Sequence, residues 1–247
     1  MPNSLFRNRP EEPEVIADTD RISVIIPVLQ EAATIDPQVR YLLRHGGPDL
    51  CEVLVVDAGS TDDTAILAGQ AGARVLQCPV RSRAAQMNFG ARQARGGILY
   101  FVHADTRPPE SFAADIAATL AAGYPMGCFR YRFDRPGWLL RVNAWFNRLP
   151  WLWCQGGDKT FFIRGELFAR LGGYDERYVI MEEYDFLRKA MPRYRLYTVP
   201  KYARVSARKY DKNSWLRVQM ANMIIFTGFR LGVAPGRLKR WYKTLLK

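Results

Sequence analysis

Acidic residues in this sequence stand just beyond apolar runs. Glu31 follows ISVIIPV (Ile22–Val28), Asp57 follows EVLVV (Glu52–Val56), and Asp105 comes shortly after ILYFV (Ile98–Val102). A further acidic set, Glu182, Glu183 and Asp185, opens the segment MEEYDFLRKAM (Met181–Met191). Singly, such acids are as well explained as turn formers and helix caps. Three of them at the ends of three strands favour a ligand site. Nucleophilic and metal chemistries of other kinds have little material. There are two histidines, His45 and His103, and the four cysteines (Cys51, Cys78, Cys128, Cys154) contain no CxxC pair. That spacing suits neither a zinc site nor a disulfide framework and fits a reducing cytosol. G-x-S-x-G, Walker A and G-x-G-x-x-G patterns are absent.

The elements that must carry these acids alternate. Ile22–Val28, Glu52–Val56, Arg74–Gln77 and Ile98–Val102 read as strands, the first two β-branched and apolar enough to be covered on both faces. Helices are predicted over Thr34–Arg44, from about Asp63 with Ser60 and Thr61 as N-caps, over Arg83–Ala94, and up to Ala122. This rhythm predicts an α/β fold with a mostly parallel sheet flanked by helices. In such sheets ligands bind beyond the carboxyl ends of the strands, which is where Glu31, Asp57 and Asp105 fall. Strands are also predicted at Met126–Phe133, Thr160–Arg164, Tyr194–Val199 and Tyr202–Ala207. Helices are predicted at Trp138–Arg148, Glu166–Leu171, Met181–Met191, Asn213–Leu231 and Arg237–Leu246. Residues 1–20 read as a flexible Pro- and acid-rich arm, 21–212 as the main domain, and 213–247 as a helical extension of it.

Of 247 residues, 48% are apolar and 24% charged, as in an ordinary globular protein. No apolar run approaches the ~18–20 residues that would span a bilayer, and the first twenty residues lack the apolar core of a signal peptide. The net charge of +12 is unevenly placed. Residues 201–247 hold 12 basic residues and one acid, whereas residues 1–200 hold 24 basic and 23 acidic.

Several motifs resemble family 2 glycosyltransferases. VIIPVLQE (Val24–Glu31) looks like the family's opening strand, and VVDAGSTDDT (Val55–Thr64) is similar to its second motif. His103-Ala104-Asp105 stands at the place of the D-x-D-type motif. GGDKTFFIR (Gly156–Arg164) and GGYDERYVIMEEYDF (Gly172–Phe186) resemble the acceptor-side and late acidic segments. SRAAQMNFGA (Ser82–Ala91) followed by VHADT is most similar to a bacterial subgroup found beside radical-SAM and arsenosugar genes.

The resemblance implies a GT-A fold with a Rossmann-like nucleotide-binding half and a nucleotide-diphosphate sugar as donor, with UDP-sugars preferred. Pro27, Glu31, Asp57, Arg83, Ala104 and Asp105 are then the donor-side residues, with Asp57 accepting hydrogen bonds from the base. Arg83 is equally readable as an exposed helix arginine. Asp105 would hold a divalent cation, Mg²⁺ or Mn²⁺, against the diphosphate. His103 departs from the family's usual acid and is either a ligand, an outer hydrogen-bonding partner or a structural histidine. Glu182, Glu183 and Asp185 supply the base candidates, Glu183 by position. Asp158 and Trp153 would face the sugar or acceptor, with Trp151 beside Trp153.

The implied reaction is an inverting, hexosyltransferase-type displacement by an acceptor hydroxyl. The alternatives are a degenerate module that only binds nucleotide sugars, and a sugar-phosphate nucleotidyltransferase, which lacks its Gly-rich loop here. The basic C-terminal helices are read first as packed on the domain, then as a contact to a membrane or a second copy. No nucleic-acid-binding motif is present. The protein is expected to be cytoplasmic, with any membrane contact peripheral, at the inner face.

Overall fold

The computed structural model describes residues 18–149, 151–155 and 159–246. The first half runs β1 (Asp18–Val28), α1 (Ala32–Gly46), β2 (Leu50–Asp57), α2 (Thr64–Gln70), β3 (Arg74–Gln77), α3 (Arg83–Gln93), β4 (Gly96–Phe101), β5 (Thr106–Arg107) and α4 (Phe112–Ala121). The second half is β6 (Met126–Phe133), α5 (Trp138–Phe146), β7 (Phe161–Arg164), α6 (Gly165–Arg170), α7 (Glu182–Ala190), β8 (Leu196–Val205), α8 (Lys209–Lys212), α9 (Trp215–Arg230) and α10 (Pro235–Leu245).

The strands form one sheet in the order β3-β2-β1-β4-β7-β6-β8-β5. Alternation of side chains along the central strands explains their unbroken apolar character. Val24, Ile26 and Val28 point into one core with Ile35, Val39 and Leu42 of α1 and Phe112 and Ile116 of α4. Ile25 points the other way, into a second core with Leu54, Val56, Met87 of α3, Phe168 of α6 and Phe186 of α7. Each such buried Val or Ile contributes about 1.5–3 kcal/mol. Helix α3 approaches the sheet closely at Gly90, where a Cβ would sit 2.7 Å from Ile25 Cγ2 and 3.0 Å from Val56 Cγ2.

The parallel expectation holds for β3, β2, β1 and β4. Strand β7 is antiparallel to both neighbours, β4 and β6, and β8 is parallel to β6. The carboxyl ends of β1, β2, β4, β6 and β8 therefore lie at the same edge as the start of β7. The two strands predicted over 194–207 are one, β8. Its register against β6 jumps from Val199 opposite Phe129 to Tyr202 opposite Arg130, so Pro200 and Lys201 form a bulge. Proline has no N–H for the ladder, and a bulge tolerates it.

The basic C-terminal segment is helical, as expected. Val218, Ala221, Ile225 and Phe229 of α9 are buried, and the Phe229 ring meets Tyr178 and Tyr184. Among the described residues, no helix is long and apolar enough to cross a membrane.

Candidate active site

The turn after β1 and the turn after β2 are tied together by one side chain. Gln30, at φ 58°, accepts through Oε1 from the N–H groups of Thr61 and Asp62 and donates through Nε2 to Thr61 Oγ1. Its own N–H reaches Ser60 Oγ at 3.0 Å. Ser60 and Thr61 thus do not cap α2, whose N-cap is Asp63 with no side-chain bond. Their hydroxyls serve the junction between two motifs. Asp57 is buried and accepts from Ser60 N–H (3.1 and 3.2 Å) and Ser60 Oγ (2.5 Å). From α3, Gln86 Nε2 donates to carbonyls at the ends of the neighbouring strands, Val28 O, the last of β1, at 2.8 Å and Val56 O, the last but one of β2, at 2.7 Å.

Beyond this junction a cleft of about 920 Å³ opens at the common strand edge, roomy enough for a nucleotide sugar. It brings together Pro27, Glu31, Arg83, His103, Ala104, Asp105, Trp153, Glu182 and Glu183 from opposite ends of the sequence. Two expected residues are not brought into it. Asp57 does not line it and is buried, held by Ser60. Asp185 is turned along its own helix to Arg188 at 2.7 Å and Lys189 at 2.5 Å. Asp158 lies outside the described residues.

Arg208, just after β8, dominates the charge of the donor side. Its Nη2 is 2.8 Å from Glu31 Oε1 and its Nε is 3.1 Å from Asp105 Oδ2, so one guanidinium bridges the two carboxylates. Sequence reasoning missed this residue: it lies in the basic tail, 177 positions from Glu31. Arg83 lies farther along the cleft, 3.8 Å from Glu182 Oε1.

The His103 ring is mostly buried, and its Nε2 has no hydrogen-bond partner and stands 3.9 Å from Glu183 Oε1. Burial, with Arg83, Arg208 and Lys209 adding like charge, pushes its pKa down to about 3, so the imidazole is neutral at neutral pH. Among the described residues no group of three or more His, Cys, Asp or Glu could by itself hold a metal. The donors that fit a cation are the Asp105 carboxylate and the orphaned Nε2 of neutral His103, with the remaining positions left to ligand oxygens. A carboxylate and ligand oxygens suit Mg²⁺ or Mn²⁺, and an imidazole nitrogen beside them favours Mn²⁺ over the harder Mg²⁺.

Opposite them, Glu182 and Glu183 open α7 and are both buried. The preceding Met181 is held at φ 71°, a left-handed conformation that L-residues seldom adopt and that costs about 1–2 kcal/mol. Strain of that kind is typical of sites where geometry is over-determined. Burial raises the Glu182 pKa, and Arg83 offsets this in part. Behind Glu183 lies Lys159, also missed from sequence, which is buried and donates to Asn147 O at 2.8 Å and Gln155 Oε1 at 2.7 Å. The outer wall is aromatic: Trp151 and Trp153 stack at 5.6 Å, and Phe146 meets Trp153 at 5.6 Å.

A 124-residue stretch is 31% identical to glucosyl-3-phosphoglycerate synthase of Mycobacterium tuberculosis, covering 47% of this chain and 38% of that protein. A shorter stretch of 90 residues is 38% identical to an uncharacterized protein of the same species, covering 35% and 28%. The matched stretches thus span well under half the length of these curated relatives. Among solved structures, a mannosyltransferase from Pyrobaculum calidifontis in complex with GDP-Man and Mn²⁺ superposes with a TM-score of 0.67 at 22% identity, over 90% of this chain and 68% of that one. The M. tuberculosis synthase in complex with Mn²⁺, UDP and glucosyl-3-phosphoglycerate gives 0.60 at 22%, over 92% and 87%. At such identities these likenesses show the fold. Residues 23–172 match the family model described as glycosyl transferase family 2, and the chain belongs to that family.

Proposed function

We propose that this protein is an inverting glycosyltransferase that moves a sugar from a nucleotide-diphosphate sugar to an acceptor hydroxyl. One observation carries the reading: Glu31 and Asp105 of the donor edge share a single cleft with the buried pair Glu182 and Glu183. Glu31 and Pro27 line the nucleotide side, and Arg83 and Arg208 supply cationic donors for a diphosphate. Asp105 and His103 would hold a divalent cation, Mn²⁺ or Mg²⁺, which neutralises the departing diphosphate. Glu183 takes the proton of the acceptor hydroxyl, whose oxygen attacks the anomeric carbon from the face opposite the leaving phosphate. Trp153 and Phe146 flank the sugar or acceptor.

UDP-sugars are the preferred donors, because the relative that matches in sequence also carries UDP-Glc in a solved complex. The mannosyltransferase complex with GDP-Man makes GDP the competitor to test. The protein is read as cytoplasmic, with its basic C-terminal helices as a docking element.

Calorimetry with UDP and GDP, with and without Mn²⁺, followed by transfer and donor-hydrolysis assays, tests the proposal. Glu183→Gln should keep donor binding and lose turnover by about two to four orders of magnitude. Near wild-type turnover in that variant removes Glu183 as the base. Nucleotide binding without turnover of any donor favours a binding module.

A further inference from the structure

Two helices beside the cleft carry apolar residues on sides that a soluble protein covers with polar ones. Helix α5 presents Trp138, Val142 and Trp145, 67%, 43% and 51% exposed, at helical spacing i, i+4, i+7, and it contains no buried residue. Helix α9 buries Val218, Ala221, Ile225 and Phe229 on one side. Leu216, Met220 and Met223, 62%, 50% and 64% exposed, repeat the same spacing away from that buried set. The Tyr210 hydroxyl joins the two helices, accepting from Asn143 Nδ2 of α5 and Gln219 Nε2 of α9, each at 3.3 Å. Val142 and Met223 belong both to these stripes and to the cleft wall, so the apolar surface forms the rim of its mouth. The stacked, exposed pair Trp151 and Trp153 extends it.

Charge selects the occupant. Helices α9 and α10 contain Arg217, Arg230, Arg237, Lys239, Arg240 and Lys243 and no acid, and α5 contributes Arg141, again with no acid. A second copy docked by the same surface would set these cations against their own images. An anionic lipid surface complements them, and tryptophans and aliphatic side chains at such a rim suit the headgroup boundary. We propose that the α5–α9 face is an interfacial docking surface for an anionic bilayer, with the cleft mouth held against the lipid. Resting on the glycosyltransferase reading, the acceptor hydroxyl is then presented from the membrane side.

The test uses the full chain with unilamellar vesicles of phosphatidylcholine alone, or with about 30 mol% phosphatidylglycerol, at low salt and at about 0.5 M salt. Co-sedimentation is expected with the anionic vesicles at low salt, together with a blue shift of tryptophan emission. Arg141→Gln/Arg230→Gln, one exposed cation on each of the two helices, should weaken partitioning by about 25-fold, about fivefold for each charge removed. Trp138→Ser/Met220→Ser should weaken partitioning and reduce the blue shift, the remainder coming from Trp145, Trp151 and Trp153 of the same surface, with an unchanged thermal melt confirming the fold. Absence of binding at low salt, equal binding to neutral vesicles, or a dimer in analytical ultracentrifugation that Trp138→Ser/Met220→Ser dissociates would each overturn the proposal. Calorimetry with UDP on the same samples separates the two readings. Loss of nucleotide binding removes the donor reading and leaves the surface, and loss of vesicle binding alone does the reverse.

Discussion

Arg208 Nε lies 3.1 Å from Asp105 Oδ2, so the carboxylate best placed to hold a cation already has one. The same guanidinium bonds Glu31, which fixes it between the two acids. A divalent ion at Asp105 would compete with this contact, and a bound diphosphate would offer Arg208 another anion. Metal affinity should therefore depend on nucleotide. For Arg208→Gln, Mn²⁺ binding without nucleotide is expected to strengthen about fivefold, the scale of a partly exposed ion pair. The gain in Mn²⁺ affinity on adding UDP should shrink. Electron paramagnetic resonance of free Mn²⁺ during titration measures both; unchanged affinity in the variant would show that the pair does not compete with metal.

The acids that open α7 should separate by role. Asp185 is committed to Arg188 and Lys189, away from the cleft. Asp185→Asn is expected to cost about 1 kcal/mol of stability through lost helix pairing while leaving kcat within about twofold. Denaturant melts and initial rates check this, and a large fall in kcat with unchanged stability would contradict it.

Glu182 gives a pH signature. Burial raises its folded-state pKa above 4.5, so the folded chain holds this proton more tightly than the unfolded chain. Stability from this group is unaffected below the unfolded value and falls as pH rises through the raised folded value. Glu182→Gln should accordingly raise Tm relative to wild type at pH 8, and the difference should vanish near pH 3.5. Scanning calorimetry at the two values decides it; an advantage that is larger in acid would reverse the sign.

Gly90 is a packing requirement for the helix that carries Arg83 and Gln86. A methyl group there meets Ile25 Cγ2 at 2.7 Å. Gly90→Ala should destabilise by about 1–3 kcal/mol. Adding Ile25→Ala should cost less than the sum of the two changes, because the clash disappears with the side chain. Strict additivity in the double-mutant cycle would refute the contact.

Local chemistry made much of this molecule legible from sequence. The β-branched runs at Ile22–Val28 and Glu52–Val56 became central strands because they are covered on both faces. Their trailing acids fell at the common edge because parallel strands share a direction. What stayed hidden depended on distant partners. The hydroxyls of Ser60 and Thr61 look like caps until Gln30 arrives from another loop. Pro200 looks like a break between strands until β6 shows that a bulge absorbs it. Arg208 reads as one more cation of a basic tail, since nothing near it in sequence points to Glu31. Spacing alone places Glu182, Glu183 and Asp185 on one helical turn, and only the docking of α7 decides which of them face the cleft.

The direction of β7 has a consequence for how the enzyme could diversify. With β7 reversed, the loops that build the cleft crowd one rim of the sheet, while at the opposite rim the described helix-to-strand connections are short, such as the turn at Gly123, whose surroundings are open. The scaffold and the specificity apparatus are therefore physically divided. Insertions or exchanges at the crowded rim act on what the cleft binds, and the far rim, with open space at Gly123, is the place to graft a tag or a fused partner away from the cleft.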